Sequence, residues 1–144
     1  MVKMTENIEA QTRNILIMKD AFAKEPVNRL LNIRLKDLSP GYACVEMGMS
    51  ASYLNFNNVI FGGIIMALAD QAFAYATNSF GIPNVASQLN IHFISPVGIS
   101  DRLSAECRVL KRGRKASVSE IEVTNQDNKL VAISTGTTIP LSVT

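Results

Sequence analysis

The chain has 144 residues, 47% of them hydrophobic, with a formal charge of +2 and two cysteines. That is material for one domain with a sizeable core, and so small a charge argues against a general polyanion partner. Cys44 and Cys107 make neither a disulfide framework nor a metal site, no apolar segment reaches the roughly 18 residues of a membrane span, and the N-terminus lacks the form of a signal peptide, so a soluble cytoplasmic protein is expected.

Thr5 can cap a first helix. Ile8, Ile15, Met18 and Phe22 recur at near-helical spacing as far as Lys24, and Leu16 and Ile17 widen the apolar face. Pro26 interrupts it, and residues 27–31 read as a further short helical turn. Ile33, Leu35 and Leu38 mark a strand that ends at the turn Ser39-Pro40-Gly41, and residues 42–49 alternate as its hairpin partner. Residues 50–54 are ambiguous. Both cysteines stand among strand-like neighbours and read as small buried thiols.

The stretch from Leu54 to Ser79 organises the chain. An asparagine-rich loop leads into Gly62 and Gly63 and then into an almost unbroken apolar helix. From Ile64 to Ala76 the only polar side chains besides Tyr75 are Asp70 and Gln71. A helix apolar on nearly all sides is expected to be buried, and an unpaired buried carboxylate is expensive, so Asp70 is the first candidate for a functional residue. Gly81 is available to end the helix.

After it the pattern changes to period two. Residues 85–94, 103–110, 116–124 and 130–139 read as four strand segments in a meander, with a basic turn at Lys111-Arg112-Gly113-Arg114-Lys115 and a hairpin loop at Asn125-Gln126-Asp127-Asn128. One buried helix wrapped by an antiparallel sheet is an α+β arrangement. His92, the single histidine, has no cluster of ligands beside it, and neither a metal nor a cofactor is expected.

These residues resemble the hotdog-fold acyl-CoA thioesterases, most closely the branch typified by the phenylacetate-degradation thioesterase. The likeness rests on Asn55, the Phe61-Gly62-Gly63 turn, the run Leu68–Ala76 with Asn78-Ser79, Ala86-Ser87, the strand Asn90–Pro96, and residues 98–103. It covers about residues 33–139, a hotdog core of about six strands, and leaves residues 1–31 as a helical N-terminal extension of the single domain. It implies paired subunits, joined as a dimer of dimers, that hydrolyse acyl-CoA thioesters.

Thioester hydrolysis needs donors for the carbonyl oxygen and a base or nucleophile for the attack. Gly62 and Gly63 open a helix and so offer free N–H groups; Asp70 can act as general base or nucleophile. The eight positions from Gly62 to Asp70 span about 12 Å along a helix, too far for one carbonyl to touch both. Two antiparallel copies of the helix bring the groups together, which requires a dimer.

Asn55 can hold the attacking water, or it can simply cap a turn as Asn57 and Asn58 can. Ser87 can hydrogen-bond Asp70 across the sheet. The family commonly has histidine where this chain has Phe61, and phenylalanine can only pack. Lys111, Arg112, Arg114 and Lys115 suit the phosphates of coenzyme A, or form an ordinary solvated hairpin. The rival function is a hotdog protein that binds or senses acyl-CoA without cleaving it. A nucleic-acid role has only the one basic turn behind it.

Overall fold

The apolar run that follows Gly62 forms one helix, and a six-stranded antiparallel sheet curls around it. The computed structural model describes residues 1–141. In chain order the elements are α1 (Val2–Lys24), α2 (Pro26–Leu30), β1 (Arg34–Ser39), β2 (Tyr42–Gly48), a 3-10 turn (Ala51–Tyr53), α3 (Gly62–Asn78), β3 (Asn84–Phe93), β4 (Arg102–Arg112), β5 (Ser117–Thr124) and β6 (Leu130–Pro140). This is the hotdog architecture with a helical N-terminal extension. No described helix is long and apolar enough to cross a membrane.

The core follows from residue size. Leu68, Ala69, Ala72, Phe73 and Ala76 of α3 are fully buried against Ala43, Val45 and Met47 of β2 and the alternate residues Leu103, Ala105 and Cys107 of β4, with Ile121 and Val123 of β5. Alanine favours the helix and lets the sheet approach closely. Where Phe73 of α3 faces the sheet, β6 has no side chain: a Cβ on Gly136 would lie 2.5 Å from Cζ of Phe73. Burial in this layer pushes the Cys107 thiol up to about 12, so it stays a neutral packing group. Cys44 is only half-buried.

The end of α3 is tied to the first hairpin. Ser79 Oγ donates to Ala76 O and accepts from Gly41 N–H at 2.7 Å. Gly41 has φ +76°, and a Cβ there would also meet the Phe80 ring, so the β1–β2 turn needs glycine twice over. Gly81, at φ +82°, donates to Asn78 O and punctuates the helix as expected.

The strand order β1-β2-β4-β5-β6-β3 corrects the expected four-strand meander. β4, β5 and β6 do follow one another, but among the described residues β3 pairs with β6 alone, at the far edge, and β4 lies beside β2. The connection from residue 94 to 101 therefore crosses the ends of β6 and β5 rather than closing a hairpin. Ile94 and Ser95 N–H still bond Val131 O beside β6; by Arg102 the chain has reached β4, with its N–H on Gln126 Oε1 of the β5–β6 loop. Alternation fixes which face of a strand is buried and says nothing about its neighbour.

A close-packed pair such as Gly136 and Phe73 should be strongly coupled. Gly136→Ala is expected to destabilise the protein by about 1–3 kcal/mol through overpacking. Phe73→Leu in that background should cost much less than it does in the wild-type protein. Urea-unfolding midpoints of the two single variants and the double variant measure this; additive losses would mean that the sheet relaxes away from the helix instead.

Candidate active site

The loop before α3 is built to deliver the chain to two bare N–H groups. Leu54 and Ile60 form an isolated bridge, and Asn55 Oδ1 accepts from Asn57 N–H at 2.9 Å and Val59 N–H at 3.3 Å. Asn58 sits at φ +58°, a conformation asparagine tolerates. Phe61 N–H donates to Tyr53 O, and Phe61 O receives Ile64 N–H, which starts the helix. No side chain caps it, and Gly62 and Gly63 N–H have no partner among the described residues. The positive end of the α3 dipole thus carries two free donors, where an oxyanion is stabilised.

Aromatic rings explain why both positions are glycine. A Cβ on Gly62 would stand 2.8 Å from the Phe93 ring, and one on Gly63 would run into the Phe61 ring. Both phenylalanines are about half exposed, at 53% and 55%, so each ring packs on its glycine from the solvent side. Phe61 packs, as its chemistry requires.

Asp70 is placed differently from the expectation of burial. In the single chain it is exposed, together with Gly63, while Ala67 and Ala74 are half-buried. These four positions are spaced three and four residues apart and so make one stripe along α3. The helix is therefore covered on most of its circumference, not all of it. Asp70 has no hydrogen bond or ion pair among the described residues, and desolvation by the packed atoms around it holds its carboxyl above the usual aspartate value. Ser87 does not reach it: its hydroxyl donates to Thr137 O within the sheet. Asn55 keeps only its amide N–H free, because its oxygen is used by the loop.

Two elements border the open stripe. On one side the N-terminal extension clamps α3: Gln71 Nε2 donates to Asn28 Oδ1 at 2.6 Å, and the Tyr75 hydroxyl donates to Glu25 Oε2 at 2.5 Å. The Phe22 ring meets Tyr75 edge-on at 4.8 Å, and Asn14 Nδ2 donates to Ser79 O. In the sequence the clamp leaves no mark beyond a polar Gln71 on an apolar helix. On the other side lies β3, whose outer edge has no partner among the described residues.

The basic turn sits at the far end of α3 from the donors. Gly113 N–H bonds Ala116 O, and a Cβ on Gly113 would collide with that carbonyl, so the turn is tight. Arg112 stacks on Phe80 at 4.2 Å. Arg112 and Arg114 line a cavity of about 450 Å³ with Thr77, Phe80 and Asn84. Lys111 and Lys115 are exposed and do not line it. Among the described residues no group of three His, Cys, Asp or Glu side chains is arranged to hold a metal.

Comparison with known proteins bears on this geometry. The thioesterase superfamily pattern matches residues 57–132, which includes both glycines and Asp70. The acyl-coenzyme A thioesterase PaaI of Escherichia coli K12 is 37% identical over 126 residues, 88% of this chain and 86% of the relative. A putative esterase of Archaeoglobus fulgidus is 37% identical over 81% of this chain and 75% of its own length. The solved E. coli PaaI structure superposes with a TM-score of 0.85 at 33% identity, covering 90% of this chain and 95% of that one. A Streptococcus mutans structure bound to acetyl CoA has a TM-score of 0.74 at 27% identity, over 77% and 90%.

The desolvated carboxyl makes a testable statement about stability. Its folded-state value lies above the unfolded one near 3.8, so ionising it disfavours the fold as pH rises through the folded value. Asp70→Asn should therefore be at least as stable as the parent at pH 7, and its advantage should fade as pH falls toward 4. Thermal melts of both proteins across that range read the effect. A variant less stable at pH 7 than the parent would mean that Asp70 is held by a favourable partner.

Proposed function

This chain belongs to the thioesterase superfamily and is an enzyme of that family, and from that premise we propose that it hydrolyses acyl-CoA thioesters to the free acid and CoA in a site shared by two copies of the chain. The observation that carries the reading is the placement of Asp70: a lone carboxylate on an uncovered, small-residue stripe of α3, about 12 Å along the helix from two unpartnered N–H groups. One chain cannot use both on one carbonyl. A second copy, antiparallel to the first, sets its Asp70 opposite Gly62 and Gly63.

The sheet edges support the same partner. β1 exposes Arg34, Lys36 and Asp37, charges that discourage edge pairing. β3 runs ten residues, Asn84–Phe93, without a carboxylate, lysine, arginine or proline. Such an edge invites a second strand, and β3 borders the open stripe, so one twofold axis joins β3 to β3 and α3 to α3. Two such dimers then pair into a tetramer. The free cysteines fit a reducing compartment, and we place the protein in the cytoplasm.

In this site the Gly62 and Gly63 N–H groups of one protomer hold the developing oxyanion, strengthened by the helix dipole. The Asp70 carboxylate of the other removes a proton from water as it attacks, the C–S bond breaks and that proton goes to the departing CoA thiolate. Or it attacks the carbonyl itself, expelling the CoA thiolate, to give an anhydride that water then opens, with the water's proton going to the thiolate. Desolvation makes it a stronger base than a solvated aspartate. Asn55 Nδ2 can steady the water, and Phe61 and Phe93 wall the acyl side. Arg112 and Arg114, with Lys111 and Lys115 outside the cavity, meet the phosphates of the CoA. One observation favours the rival reading of a non-hydrolysing acyl-CoA binder: the Phe61 ring leans over Gly63.

Steady-state kinetics over short, medium, long and aryl acyl-CoA substrates separates the two. The parent should turn over at least one class, and Asp70→Asn should lose 100-fold or more in kcat, about what removing a general base costs, while the dimer persists. A parent that binds without turnover, or a variant that keeps a tenth of the rate, contradicts the hydrolytic assignment.

A further inference from the structure

The basic turn forms only one wall of a cleft, and α1 forms the other. A second cavity, about 430 Å³, lies on the other side of Arg112 and Phe80 and is lined by Asn7, Gln11 and Arg13 from α1. The two cavities share Arg112 and Phe80, and Arg114 lines the first. Arg13 and Arg112 therefore line one cavity and Arg112 and Arg114 the other, and among the described residues no carboxylate lines either. Arg13, Arg112 and Arg114, like Arg29, make no ion pair among the described residues, whereas Arg34, Arg102 and Arg108 do.

Unneutralised, clustered arginines beside amide side chains and an aromatic ring are the chemistry of a phosphorylated nucleoside site. The forks of Arg112 and Arg114 can grip phosphate oxygens in pairs, and Arg112 is already held by its stacking on Phe80. Asn7 and Gln11 offer both donors and acceptors, as a base or ribose requires. α1 is itself anchored to α3 through Asn14 and Ser79, so Arg13 is presented by a fixed helix.

We propose that α1 is the second wall of the substrate site, with Arg13 binding the phosphorylated nucleoside end of acyl-CoA together with Arg112 and Arg114. This rests on the shared-site reading above. In that dimer the protomer that supplies Asp70 also supplies the cleft, because its helix runs on for eight residues from Asp70 to Asn78, about 12 Å, past its partner's donors. A pantetheine arm, comparable to about four extended residues at roughly 3.5 Å each, spans that distance.

The test uses the full-length protein and adenosine 3′,5′-bisphosphate as the probe, titrated by calorimetry. Arg13→Ala should weaken its binding about tenfold, the loss of one charge-assisted contact, and Arg13→Lys should recover part of it. Arg13 is exposed on a helix, so the substitution is compatible with folding, which circular dichroism checks. KM should rise about tenfold for an acyl-CoA and stay level for the same acyl group on pantetheine. Arg13-dependent binding without any hydrolysis supports the cleft while removing the hydrolytic reading. Hydrolysis with binding indifferent to Arg13, no binding by the parent, or equal KM increases on both substrates overturns the cleft.

Discussion

The rise of an α-helix, about 1.5 Å per residue, is the constraint on which the rest depends. It separates the Gly62 and Gly63 donors from Asp70 by more than one small reacting group can bridge. On the proposed reading, a helix with an oxyanion cradle at its start and its carboxylate two turns later serves one carbonyl only beside a second copy of itself. The other features are read most simply as consequences. α3 is left uncapped at its N-terminus and uncovered along Gly63, Ala67, Asp70 and Ala74, while the sheet and the α1–α2 extension close the remaining circumference. The side chains on the stripe are small enough for another helix to come close.

The rotation of α3 about its own axis then matters as much as its sequence. Gln71 and Tyr75 sit one residue and five residues beyond Asp70, and their bonds to Asn28 and Glu25 fix which way the neighbouring carboxylate points. Burial of Tyr75 and its bond to Glu25 both raise the phenol's pKa, so the hydroxyl stays a donor throughout the ordinary pH range. On the opposite flank Phe73 needs Gly136, which brings β6 and the adjoining β3 edge close to the stripe. The extension and the sheet act as two jaws that hold one helix in one orientation.

Much of this was legible in the sequence because it is local. The Gly-Gly start, the alanine-rich run and the Gly81 stop locate α3 almost to the residue, and period-two alternation locates the strands. What was not legible depends on distance between elements. β3 and β4 read as neighbours because their connection is short, yet the chain crosses two strands between them. Asp70 reads as buried because its neighbours in sequence are apolar, whereas its neighbours in space leave it open. Ser87 points to a carbonyl of β6, and the clamp from Asn28 and Glu25 to α3 spans more than 40 residues of chain, beyond any periodicity. The basic turn was visible as a charge cluster; that Arg13 shares its space was not.

The shared site is tested most directly by mixing two inactive proteins, Asp70→Asn and Gly62→Pro. Proline at the first helical position removes the N–H without breaking the helix, and the half-exposed Phe93 has room to turn aside. Sedimentation must first establish that each variant assembles and that subunits exchange. In a mixed dimer one site carries both lesions and the other carries neither. Random pairing then restores about a quarter of parental activity, from the statistics of closed twofold assembly. Recovery near that level supports a site built from two chains. No recovery, with exchange demonstrated, places donors and carboxylate in one chain and contradicts the account.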